Sequence, residues 1–264
     1  MLKPGIRHRL RRYVPIGSPI WTSCYFVRRG IRALFDPASK SPILWYVVHQ
    51  NILLEHYKAI YFYIPKVACS TLKKVCVDLL NMNHAEGDLV EEVHLLAFPY
   101  VKKYKVADDY QDYFRFCFVR NPWSRLVSCY KDKIDYDQGH VYERYENSFI
   151  AYLKNMKMYS KDMNFERFVE VVCEIPDELA EGHFRSQHRF ILDDHDRKLV
   201  DFIGKFEQLH LDFDKVTEKL GIQAELPHLR SRKDSGYADY YTNRISKLVG
   251  RRYERDIDMF GYQF

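Results

Sequence analysis

A chain of 264 residues with 47% hydrophobic side chains can bury a substantial core, enough for one α/β domain with appendages. The six cysteines (Cys24, Cys69, Cys76, Cys117, Cys129, Cys173) include no CxxC pair, and four fall in expected strands and helices. A buried thiol behaves there as a small hydrophobe, so a disulfide framework and a zinc site are excluded and a reducing compartment is expected. The net charge of +5 is uneven: residues 1–40 carry nine Lys/Arg against Asp36 alone, leaving −3 for the rest.

That basic leader would suit an anionic membrane surface, an acidic polymer or plain solvent. No stretch reaches the ~20 apolar residues of a membrane span. The best run, Ile43 to Leu54, is interrupted by His49, Gln50 and Asn51. The basic start is not followed by the apolar segment of a secretory signal. Residues 43–57 are expected to form a helix packed on the domain.

The next stretch, Ala59 to Leu80, organises the rest. Ile60 to Ile64 is a short apolar run rich in aromatic and β-branched residues, which predicts a buried strand. Pro65 ends it. From about Ser70 the period changes, and Leu72, Val75, Cys76, Leu79 and Leu80 share one helix face. A strand entering a helix through a short turn exposes backbone N–H groups at a positive dipole end. Lys66 lies on that turn and Ser70 and Thr71 add hydroxyls, so Lys66, Val67, Ala68, Cys69, Ser70 and Thr71 form a candidate phosphate or sulfate cradle. The loop is not a Walker A motif, because the lysine comes first and there is no glycine.

Residues 81–112 are polar and mixed, with His94 ahead of an apolar patch. A second strand-to-helix unit follows: YFRFCFV (113–119), Arg120-Asn121-Pro122, and a helix from about Trp123. Proline suits a first helical position. Trp123, Leu126, Val127, Tyr130 and Ile134 share a face of this helix. Arg120 is then at the carboxyl end of a strand, the edge at which open α/β sheets bind ligands. Its planar fork suits a phosphate dianion, and Ser128 two turns on can complete the shell. Arg125 is expected in a structural ion pair.

The tyrosine-rich segment 131–163 (Tyr136, Tyr142, Tyr145, Tyr152, Tyr159) is either an acceptor surface or a solvated helical face. Asn164 is expected to cap a short helix. DFIGKFEQL (201–209) is a third strand into a third helix, closed by Gly221. LPHLRSRKDSGYADYY (226–241) is a loop whose Arg230, Ser231, Arg232 and Lys233 are candidate phosphate or substrate contacts, and Thr242 to Met259 is a last helix.

The lysine-first loop PKVACST resembles the 5′-phosphosulfate loop of sulfotransferases that use 3′-phosphoadenosine 5′-phosphosulfate (PAPS). FVRNPWSRLVSCY resembles the 3′-phosphate motif of carbohydrate sulfotransferases, with Arg, Pro, aromatic, Arg, Leu, Val, Ser and aromatic in register. HFRSQHRFI (183–191) is similar to a further His-x-x-x-Gln element of that family, and DFIGKFE to one of its strands. The resemblance covers about residues 58–264. It implies an α/β fold of the P-loop-NTPase-like sulfotransferase type, with a mostly parallel central sheet flanked by helices. Residues 1–57 would be a basic extension and 58–264 the sulfotransferase domain.

The implied reaction moves a sulfuryl group from PAPS to a glycan hydroxyl, leaving adenosine 3′,5′-bisphosphate, with no metal. Lys66 would stabilise the leaving phosphate. A general base is expected at His94 or His183, with Glu92 as an outside candidate. His94 resembles the base of heparan 2-O-type relatives in its placement, 26 residues before Arg120. A tyrosyl peptide or small molecule are alternative acceptors, and an ATP-dependent kinase or a basic membrane or nucleic-acid adaptor are alternative classes. A nucleic-acid partner is not expected, because no aromatic-plus-basic module is present. Peripheral membrane contact would rest on the leader. The expected location is cytoplasmic, with the Golgi lumen only if an anchor is missing from this chain.

Overall fold

The computed structural model describes residues 51–82, 93, 96, 98–135, 148–227 and 236–264. The basic leader, Glu92, His94, Tyr136, Tyr142, Tyr145 and the Arg230–Lys233 group lie outside them. A five-stranded sheet runs in the order β3-β1-β2-β4-β5. Its strands are β1 (Asn51–Leu54), β2 (Ala59–Phe62), β3 (Tyr100–Val101), β4 (Phe114–Val119) and β5 (Phe202–Lys205). The centre is parallel: Ala59 pairs with Phe114, and Phe116 with Phe202. β1 is antiparallel to both its neighbours, β2 and the edge strand β3.

β1 overturns the helix expected over 43–57, at least from Asn51 onward. Ile52 opposes Tyr61 and Leu54 opposes Ala59, so these apolar residues are extended by pairing with β2. A short apolar run carries no period that separates strand from helix, and here the neighbouring strand decides. The sheet therefore begins upstream of the expected 57/58 boundary.

β2 is buried along its whole length, as expected for a central parallel strand covered on both faces. Tyr61 stacks on Phe116 with centroids 5.3 Å apart. Leu72, Val75 and Cys76 of helix α1 (Cys69–Leu79) join the same core as Phe213 and Val216 of the helix after β5. Gly204 allows that strand to approach: a Cβ there would lie 2.4 Å from the buried Phe118 ring.

Between the sheet's edges run α2 (Lys103–Asp109), α3 (Pro122–Tyr130), α4 (Ser148–Asn155), α5 (Phe165–Glu174), α6 (His188–Ile191) and α7 (Leu209–Leu220). Asn164 caps α5 by accepting from the Arg167 amide, and Gly221 closes α7 at φ 65°, as their sequence positions predict. Tyr152 departs from the surface role: it is 2% exposed, and its hydroxyl donates to the Leu179 carbonyl. The last helix also departs from expectation. It is split into α8 (Asn243–Arg252) and α9 (Glu254–Phe260) at Tyr253, whose φ and ψ are −113° and 21°. Tyr253 and Asp256 are both buried.

Candidate active site

Two turns and one loop converge at the carboxyl ends of β2 and β4. In the first turn Lys66 and Ala68 adopt left-handed backbone angles, φ 67° and 48°. Neither is glycine, so each costs on the order of 1 kcal/mol. Strain of this kind persists where surrounding structure enforces it, often at functional sites. The α1 ladder begins with the Leu72 amide donating to the Ala68 carbonyl at 3.0 Å. The residues ahead of it stand at the positive end of the α1 dipole, a position that favours an anion. Val67 is buried, while Ala68, Cys69, Ser70 and Thr71 are half-exposed along the rim.

The second turn is built around Asn121, whose side chain accepts from the Trp123 and Ser124 amides and so caps α3. Pro122 occupies the first helical position. The cap leaves Arg120 on the strand tip, 8% exposed, with its guanidinium 4.2 Å above the Phe206 ring. Arg120 Nε donates to Ser124 Oγ at 2.9 Å, and Nη1 donates to the Lys66 carbonyl at 3.1 Å. The last bond ties the two turns directly together. An anion held by an arginine so little exposed would keep little of its hydration, which strengthens a charge-assisted hydrogen bond. Ser128 sits half-buried on α3, one turn beyond Ser124.

Among the described residues Arg125 makes no ion pair of the expected kind. Its Nε donates to the Pro65 carbonyl, Nη1 to that of Arg185 and Nη2 to that of Gly182. At 2% exposure, it pins the cradle to the 182–185 loop through neutral acceptors.

That loop carries His183. Its Nδ1 lies 2.9 and 3.0 Å from the two carboxylate oxygens of Glu181. The carboxylate can only accept, which puts the proton on Nδ1 and a lone pair on Nε2. Burial pushes His183 below its ordinary value; Glu181 opposes this, and Lys133 and Lys66 add to it. The imidazole is therefore neutral near pH 7, as a base must be. Burial pushes Glu181 the other way, but His183 and Lys133 outweigh it and keep it ionised.

Lys66 Nζ lies 3.2 Å from Asp132 Oδ2, and Lys133 Nζ lies 2.9 Å from the same oxygen. Burial raises Asp132, yet Lys66 and Lys133 together hold it well below the usual carboxylate range. Asp132 and Lys133 belong to a π-helical turn, Lys131–Asp135, that continues α3; such turns recur at functional sites. Cys129, buried beside Lys66, stays a thiol because burial pushes it up to about 12.

The structure thus brings Lys66 to Thr71, Arg120, Ser128 and His183 to one end of the sheet. Sequence reasoning missed Ser124, Asp132 and Glu181. A Glu two residues before a candidate base was a usable signal for Glu181. Nothing in the pattern marked the other two.

A mixed sheet, parallel at its centre, thus carries a lysine-bearing turn after one strand and an arginine at the tip of the next. The family is established by comparison: the sulfotransferase family model matches residues 49–263, and the chain belongs to that family. It is 28% identical to carbohydrate sulfotransferase 14 of Danio rerio over 69% of this chain and 52% of that protein. With the Homo sapiens carbohydrate sulfotransferase 14 the identity is 30%, over 68% and 48%. With carbohydrate sulfotransferase 11 of Mus musculus it is 25%, over 79% and 65%. The chain spans about half the length of the first of these relatives. No solved structure matches it.

Proposed function

We propose that the chain transfers a sulfuryl group from PAPS to a hydroxyl of a glycan. The observation that carries this reading is the bond from Arg120 Nη1 to the Lys66 carbonyl. It joins two cationic turns side by side, as a donor with phosphates on the 3′ and 5′ positions of one ribose requires. The glycan acceptor is supported by the relatives, which are named carbohydrate sulfotransferases.

In this reading the amides of Val67 to Thr71 hold the 5′-phosphate, and Arg120 with Ser128 holds the 3′-phosphate. Arg230, Ser231, Arg232 and Lys233 are proposed as further contacts to the nucleotide. His183 Nε2 takes the proton of the acceptor hydroxyl as its oxygen forms a bond to sulfur. The bond from sulfur to the bridging oxygen breaks, and adenosine 3′,5′-bisphosphate leaves. Lys66 stabilises the charge that grows on that oxygen. By analogy with phosphoryl transfer, such a displacement depends on placement and positive charge more than on covalent help. Of the two expected bases, His183 has the support of a neutral imidazole, an orienting Glu181 and proximity to Lys66.

Transfer of radiolabelled sulfate from PAPS across desulfated polysaccharides tests the reading. Label on at least one polysaccharide is the expected result. Label only on a tyrosyl peptide would move the acceptor to another class. Phosphate transfer from ATP–Mg²⁺ in place of sulfate transfer would remove the reading altogether.

A further inference from the structure

The His-x-x-x-Gln element has a second member besides His183. Gln187 is fully buried, and its side-chain amide clasps the backbone of Arg120 on both sides. Gln187 Oε1 accepts from the Arg120 N–H at 2.9 Å, and Nε2 donates to the Arg120 carbonyl at 2.8 Å. The pairing of β4 with β5 ends at Val119 and Lys205. Arg120 is thus the first residue beyond the ladder, where its backbone has no strand partner. The glutamine amide supplies the missing donor and acceptor in one rigid group.

Gln187 is in turn held from α9. Its backbone amide donates to Asp256 Oδ2 at 2.6 Å, and the His188 amide donates to Oδ1 at 2.9 Å. His188 Nδ1 lies 2.7 Å from the same Oδ1. Asp256 is completely buried, so this anchor is shielded from water and salt. Asp256 lies on α9, three residues past the break at Tyr253.

We propose that Gln187, backed by Asp256, is a positioning residue that sets the aim of the Arg120 guanidinium and hence the selectivity of the site for a 3′-phosphate. The inference rests on the assignment of Arg120 to the 3′-phosphate. Charge alone does not give selectivity between two nucleotides; a planar fork held at a fixed angle does. Without the clasp, two backbone groups at the tip of β4 lose their partners, and the turn has reason to rotate toward others.

The test is the ratio of affinities for adenosine 3′,5′-bisphosphate and adenosine 5′-monophosphate, measured by calorimetry on the full chain. The parent should favour the bisphosphate. In Gln187→Met the ratio should fall about tenfold, while affinity for the monophosphate barely changes. Asp256→Asn, isosteric and still able to accept one bond, should lower the ratio by a smaller factor, and it keeps the test open if Gln187→Met does not fold. Val169→Ala, in the core of α5, is the control for general destabilisation and should leave the ratio unchanged. Folded Gln187→Met or Asp256→Asn with the parental ratio would overturn the inference alone. A parent that does not favour the bisphosphate would overturn the Arg120 assignment, and this inference with it.

Discussion

Arg120 and Lys66 stand on adjacent strand tips and are held by opposite means. Among the described residues Arg120 meets neutral groups: the Ser124 hydroxyl, the Lys66 carbonyl, the Gln187 amide and the Phe206 face. Lys66 is held by the charge of Asp132, which it shares with Lys133, and beside it His183 leans on Glu181. Neutral hydrogen bonds among buried groups are indifferent to pH and little affected by salt. Half-exposed ion pairs are sensitive to both. The difference predicts that the contacts around Arg120 hold across pH and salt, while those around Lys66 respond to both.

The largest expected effect lies on the transfer side. His183→Ala should lower turnover by roughly 10²–10⁴ with little change in bisphosphate affinity. In the parent, His183 sits below its ordinary value of 6.5. The neutral base form therefore predominates above that lowered pKa, and kcat should fall tenfold per pH unit only below it. Glu181→Gln removes the group that raises the pKa, so the acid limb should move to lower pH. A pH–rate profile that is unchanged in both variants would take the proton transfer away from this histidine.

Next in size is Lys66→Ala, expected to cost on the order of 10²–10³ in turnover. Single-turnover kinetics beside a binding titration should show that the loss is in chemistry more than in affinity. Arg125→Met sharpens the comparison through stability. It leaves the carbonyls of Pro65, Gly182 and Arg185 without their donor, and should cost at least about 2 kcal/mol in urea unfolding, independently of salt. An Arg125→Met chain as stable as the parent would mean those carbonyls find other partners.

The smallest effect is expected at Asp132, whose side chain is 46% exposed. Asp132→Asn releases Lys66 from a competing anion and should tighten bisphosphate binding by about twofold to fivefold at low salt. The gain should shrink toward nothing in 1 M salt. A gain independent of salt would show that the pair is not the competitor described.

The features legible in the sequence share one property: each is decided within a few residues. Pro122 at a helix start places Arg120, the change of period after Pro65 places Lys66, and Gly221 and Asn164 punctuate their helices. Features that failed to show depend on remote partners. Within the 43–57 segment the apolar run Ile52 to Leu54 is too short for its period to reveal a strand, and β1 forms by pairing with β2. Arg125 invites an ion pair by its charge, but the groups that meet it are carbonyls about sixty positions away on either side. Asp132 lies in a charged, tyrosine-rich stretch that looks like solvated surface, and only the π-helical turn aims it at Lys66.

The sequence by itself therefore determined the three strand-to-helix units, the two turns and the residues standing on them. Periodicity, proline geometry and helix capping act locally, and their signals stay contiguous along the chain. Tertiary structure alone decided which charges meet which: Lys66 with Asp132, Arg120 with Gln187, Gln187 with Asp256. Those contacts form where segments far apart in sequence converge, and no spacing of residue types encodes that convergence.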